Sequence, residues 1–133
     1  MNAATELIQS SMPLCVTLGI TAVEAGPEQV VLELPWAESL CTTGGLLHGG
    51  VLMALADSAG ATCAFLNLPE GAVGTATIES KTNFLGAVSE GTVVATSTPL
   101  HAGSSTVVVE TTLQVGSRLV GKTTQTQNVR RPR

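Results

Sequence analysis

The stretch Gly44-Gly45-Leu46-Leu47-His48-Gly49-Gly50-Val51-Leu52-Met53-Ala54-Leu55-Ala56-Asp57 dictates how the rest of the chain has to fold. From position 49 to about 67 the residues are rich in Ala, Leu and Met, which favour helix, and Pro69 and Gly71 stop it. This helix is apolar around most of its circumference, so it is expected to be enclosed rather than to lie on a surface. Two features interrupt the pattern. Gly49 and Gly50 stand at the helix start, where the first N–H groups have no helical acceptor and another group can approach the backbone closely. Asp57 follows about two turns later, and a carboxylate is costly to bury unpaired.

Working outward, residues 3–11 predict a short amphipathic helix ended by Pro13. Segments 16–24 and 29–34 read as strands around a turn at Gly26-Pro27, and 35–47 as a loop. After the helix come four β segments, 73–85, 91–100, 104–115 and 118–128, with no further helix between them. The third alternates clearly: Val107, Val109, Thr111, Leu113 and Val115 take one face, Glu110, Thr112 and Gln114 the other. Gly103 and Gly116-Ser117 are natural hairpin turns, and strands joined so tightly are antiparallel. The expectation is one α+β domain over 1–133, an antiparallel sheet wrapped around a single long helix, with a basic tail at 129–133. Such a sheet keeps open edges, which a second copy would cover, so a homodimer or a dimer-of-dimers tetramer is expected.

Composition narrows the function classes. The 133 residues suit one core, and 44% hydrophobic against 12% charged residues is too apolar for disorder. Aromatics are limited to Trp36, Phe65 and Phe84, which leaves the core to aliphatic residues and argues against stacking on single-stranded nucleic acid. A net charge of −4 argues against a generally basic nucleic-acid surface. All six basic residues lie at or after Lys81, and beyond Glu110 only Arg118, Lys122, Arg130, Arg131 and Arg133 carry charge. That end is either a solvated tail or a landing site for an anion such as a nucleotide phosphate. Cys15, Cys41 and Cys63 show no CxxC pair, so neither a disulfide framework nor a metal site is expected. The opening MNAATELIQSSMPL lacks a basic n-region, which predicts a cytoplasmic protein. Residues 51–68 reach the minimum length of a membrane span but carry Asp57, Ser58, Gly60, Thr62 and Asn67, so a buried helix is the better reading.

Asp57 either satisfies a buried polar group or serves chemistry. A carboxylate on a helix whose start is glycine-rich and electropositive makes a workable hydrolase: N–H groups polarise a carbonyl, and the carboxylate attacks it or activates water. The apolar surroundings are expected to desolvate Asp57.

The pattern G-x-x-H-G-G-V-x-x-x-L-x-D from Gly45 to Asp57 resembles the phenylacetate-pathway, 4-hydroxybenzoyl-CoA thioesterase-like group of hotdog-fold acyl-CoA thioesterases. Thr82-Asn83-Phe84-Leu85 resembles that family's "NF" segment, Gly91 opens the next strand, and Leu100-His101-Ala102-Gly103 resembles its "H-x-G" turn. The likeness runs over roughly residues 14–128. It implies a hotdog fold, hydrolysis of an acyl-CoA, and no cofactor beyond the coenzyme A of the substrate. By position it makes Asp57 the nucleophile or general base, Gly49 the donor to the thioester carbonyl, and His48 the histidine that orients the thioester or protonates the departing sulfur. Thr77, or else Thr75, is the water-binding hydroxyl. Gly50, Asn83, Phe84, His101 and Gly103 fall among substrate and CoA contacts. The chain departs from its relatives at Thr42, where many have Asn contributed across the dimer, and at Ser104 and Ser105, where many are basic. Arg130 and Arg131 are expected to supply the missing charge. Hotdog relatives also include hydratases and dehydratases, and a non-catalytic acyl-CoA binder is a third class; the motif resembles the hydrolases better. The acyl pocket is expected to be lined by small aliphatic residues, suited to medium-chain or arylacetyl groups.

Overall fold

A computed structural model describes all 133 residues. Asn2 caps the first helix, α1 (Ala3–Ser11), by accepting the Thr5 N–H at 2.7 Å. Pro13 does more than end α1. It opens a second helix, α2 (Pro13–Leu18), where a missing N–H is no loss, and Gly19 closes it in the left-handed conformation at φ 77°. The strand expected over 16–24 is therefore shortened to β1 (Thr21–Ala25). The β-branched Val16 and Thr17 suit a strand, but Pro13 and Gly19 bracket them at helix-terminal positions.

The remaining elements follow the expected order: β2 (Val30–Pro35), 3₁₀ turns at Glu38–Leu40 and Thr43–Gly45, α3 (Gly49–Phe65), β3 (Gly74–Phe84), β4 (Thr92–Ala102), β5 (Thr106–Val115) and β6 (Arg118–Arg130). The strands form one six-stranded antiparallel sheet in the order β1-β2-β4-β5-β6-β3. Register breaks in β1, β3 and β4 bend these strands, which helps the sheet curl around α3. α3 touches β2, β3, β4, β5 and β6. It lies close because its sheet-facing residues are small: Ala56, Ala59, Gly60, Cys63 and Ala64 are all buried. Alternate residues of β4 (Val93, Ala95, Ser97), β5 (Val107, Val109, Thr111, Leu113) and β6 (Thr123, Gln125, Gln127, Val129) complete the core.

Enclosure of α3 is one-sided in the single chain. Met53, Ala54 and Ala61 are half-buried and Asp57 and Phe65 exposed, forming one stripe at helical spacing. Asp57 is thus exposed in the single chain, where the sequence led us to expect apolar surroundings. β3 is a sheet edge with Ile78 62% exposed, so apolar surface meets solvent along both features. No helix is long and apolar enough to cross a membrane.

Candidate active site

The site grows from the two ends of α3's polar interruption. At the helix start His48 is the N-cap, and its Nδ1 accepts the Gly50 N–H at 2.8 Å. With Nδ1 serving as the acceptor, Nε2 is the ring's donor position. The Gly49 N–H has no acceptor within the chain. Beside it opens a cleft of about 410 Å³ lined by Thr42, Leu46, Gly49, Leu52, Phe84 and Val88, among others. The Phe84 ring lies across Gly49, where an added Cβ would come within 3.3 Å of Cζ. Thr42, Gly49 and Phe84, chosen separately from the sequence, share this cleft.

Asp57 meets β3 and β6. Its Oδ1 accepts from Gln125 Nε2, and Thr77 Oγ1 lies 3.5 Å from the same oxygen. Thr77 Oγ1 in turn accepts from Gln127 Nε2 at 2.7 Å. A bulge in β3 sets this up. Thr77 is opposite Gln127 and Ser80 opposite Gln125, so the extra residue Ile78 lets positions three apart on β3 match positions two apart on β6. Between the two candidate threonines, the geometry brings Thr77 to the carboxylate. Thr75 instead lines a cavity of about 200 Å³ with Leu7, Ile8, Met12, Ala61 and Phe65. Ala61 lies one turn beyond Asp57 on the same stripe of α3, so the cavity lies along α3 from the carboxylate, which does not itself line it. Gln125 and Gln127 went unmarked in the sequence. Their one signal is a period of two shared with Thr123 and Val129.

A third cluster forms at the β4–β5 turn. The His101 ring covers Gly103, whose N–H donates to the Thr106 carbonyl at 2.9 Å. Arg131 donates to the Ser104 carbonyl at 2.9 Å and the Glu70 carbonyl at 3.3 Å, and the Val129 N–H to the Ser105 carbonyl at 2.8 Å. The basic tail and the H-x-G turn are thereby joined, beginning at Val129, about 7 Å along β6 from Gln127. Arg130 is opposite Gly74 at the end of β6, and Asn83 opposite Lys122 on β3; both side chains are exposed.

One pairing expected from the sequence does not form within a chain. Gly49 and Asp57 are separated by about 12 Å of helix rise, too far for both to address one carbonyl group.

Residues 44–122 match the family described as Thioesterase superfamily. The chain belongs to the thioesterase superfamily. ComA2 of Bacillus subtilis, an esterase by name, is 38% identical over 98 residues, 71% of this chain and 75% of ComA2. The thioesterase HI1161 of Haemophilus influenzae superposes with a TM-score of 0.86 at 26% identity, covering 97% of this chain and 91% of the other. A thioesterase family protein from Silicibacter pomeroyi gives 0.87 at 26% identity over 97% of each chain. The fold is the hotdog fold, and this thioesterase is a thioester hydrolase. The family match ends short of Gln125 and Gln127.

Proposed function

We propose that this thioesterase hydrolyses a small or medium acyl- or aryl-CoA to the free acid and CoA, with Asp57 as nucleophile or general base. The observation that carries the proposal is the position of Asp57. It lies on the open stripe of α3, beside the Thr77 hydroxyl and one helical turn from Ala61, which lines the apolar cavity between α1 and α3. The acyl group enters that cavity. The motif from Gly45 to Asp57 supports a place in the phenylacetate-pathway group.

A second copy completes the site. The axial distance between Gly49 and Asp57 within one helix calls for the Gly49 N–H of one protomer to face Asp57 of its partner. The exposed β3 edge and the α3 stripe are the surfaces available for that pairing. Covering them would also remove water from Asp57. The Gly49 amide polarises the thioester carbonyl, and Asp57 attacks the carbon or takes a proton from an attacking water. The C–S bond then breaks and the thiolate departs, taking up a proton from solvent or the one Asp57 removed from the water; where Asp57 is the nucleophile, water then hydrolyses the acyl anhydride it forms. His48 orients the thioester through its Nε2–H. Thr42, Gly50, Asn83 and Phe84 border the thioester. His101, Gly103, Ser104, Ser105, Arg130 and Arg131 meet the CoA phosphates. Coenzyme A enters only as part of the substrate.

A panel of saturated acyl-CoAs with free-thiol detection, run beside an enoyl-CoA hydration assay, tests the reading. Asp57→Asn is expected to lower kcat by about 10²–10⁴-fold while acyl-CoA still binds. Hydration of the enoyl-CoA without thiol release, or turnover unaffected by Asp57→Asn, would overturn it. Arg130→Ala/Arg131→Ala is expected to raise KM for acyl-CoA at low salt; an unchanged KM removes these arginines from the site.

A further inference from the structure

We propose that Gln125 is a positioning residue that orients the Asp57 carboxylate so that Oδ2 is the reacting oxygen. This rests on the reading of Asp57 as the reacting group. Gln125 stands on β6 beneath α3 with 0% exposure, and its amide Nε2 donates to Asp57 Oδ1. A carboxylate only accepts, so the amide orientation is forced: Nε2 faces Asp57 and Oε1 faces away. Oε1 is then buried with no hydrogen-bond partner. An orphaned buried acceptor is unfavourable, and a methionine would occupy a similar volume without one. Packing alone therefore gives no reason for glutamine at this position.

Gly60 supplies an independent observation. It lies in the interior of α3, where glycine weakens a helix relative to alanine. A Cβ there would fall on Gln125 Oε1, well inside contact distance, and 3.1 Å from Val109 Cγ2. The helix thus leaves room for the glutamine amide at the expense of its own propensity. The neighbouring pair acts in the same direction, since Gln127 holds Thr77 and Thr77 lies 3.5 Å from the same Oδ1. Both β-sheet contacts gather on Oδ1, and Oδ2 is left for the substrate or water.

The test compares Gln125→Met, Gly60→Ala, the double variant Gly60→Ala/Gln125→Met and Asp57→Asn in the full chain, reading kcat, KM and Tm with one acyl-CoA. Gln125→Met is expected to keep KM within about twofold and leave Tm unchanged or higher, while kcat falls about 10- to 100-fold from lost orientation. Gly60→Ala displaces the amide and should reproduce the loss in kcat, and the double variant should lose no more than Gln125→Met alone. A merely structural glutamine would make kcat follow Tm. Wild-type kcat in Gln125→Met beside an inactive Asp57→Asn overturns the positioning role and leaves the reading of Asp57 intact. Wild-type kcat in Asp57→Asn overturns that reading itself. If Gln125→Met does not fold, Gly60→Ala decides: wild-type kcat in that variant overturns the proposal.

Discussion

Gln127 Nε2 lies 2.7 Å from Thr77 Oγ1, and that bond decides the direction of the threonine's own proton. The amide nitrogen can only donate, so the hydroxyl oxygen accepts from the sheet side and its hydrogen is free to point toward Asp57. Thr77 is thereby a donor presented beside the carboxylate, whether to Oδ1 or to a water held between them.

Removing that hydroxyl is expected to cost both activity and some stability. Thr77→Val should lower kcat about tenfold or more, as for a lost hydrogen bond to a charged group, and lower Tm as well, because the buried Gln127 amide loses its acceptor. Thr77→Ser should retain most of the rate. Thr75→Val, away from the carboxylate but in the acyl cavity, should act on KM and acyl-chain preference rather than on kcat. Steady-state kinetics on the three variants check the assignment.

Gly49→Pro offers a way to delete one amide without losing the helix. Proline is favoured at the first helical position, and His48 at φ −63° and ψ 134° already has the extended conformation that a following proline requires. The helix should persist, with a modest fall in Tm as the Phe84 ring gives way to the added Cβ at 3.3 Å. With the carbonyl donor gone, kcat should drop about 10²–10³-fold.

Mixing the two inactive variants tests whether the site is shared between copies. In a dimer of Gly49→Pro with Asp57→Asn, one of the two sites regains both wild-type groups if each site draws on two chains. Co-refolded protein should then recover about a quarter of wild-type activity, the statistical share of intact sites. No recovery would return the whole site to a single chain and contradict the helix geometry.

Cys63 sets a stability change at alkaline pH. Burial pushes its thiol up to about 11 from an ordinary 9.0, and Cys15 is raised as well, chiefly by burial and against a hydrogen bond with Ser58. Below pH 9.0 the thiol is protonated folded or unfolded, and its contribution is fully present. Between 9.0 and about 11 the unfolded chain releases protons that the folded chain keeps, so stability falls as pH rises. Urea midpoints should therefore decline across that window, and Cys63→Ala should flatten the decline. Iodoacetamide should modify the half-buried Cys41 before the buried Cys15 and Cys63.

The helix at 49–65 and the four strands after it were legible because their signals are local: Ala and Leu density, turn glycines, and the alternation from Val107 to Leu113. Residues 16–18 misled, since β-branched composition outweighed the Pro13 and Gly19 boundaries in a segment too short for its period to show. His48, Gly49 and Asp57 stood out as polar or glycine positions in an apolar run. Gln125 and Gln127 could not stand out in this way. On β6 the residues opposite to theirs in alternation, Thr124, Thr126 and Asn128, are polar too, so periodicity carries no contrast between inside and outside.

By itself, then, the order of residues determined the type of every main element except α2, the antiparallel hairpins β1-β2 and β4-β5-β6, and the one carboxylate that the apolar helix does not need. Tertiary structure alone decided which face of β6 turns inward, which threonine reaches Asp57, and that Gly49 and Asp57 of one chain stand too far apart to act together. Periodicity and capping are fixed by neighbours a few residues away. Strand register, the bulge at Ile78 and the rise of a rigid helix are fixed by pairings and distances between segments far apart in sequence.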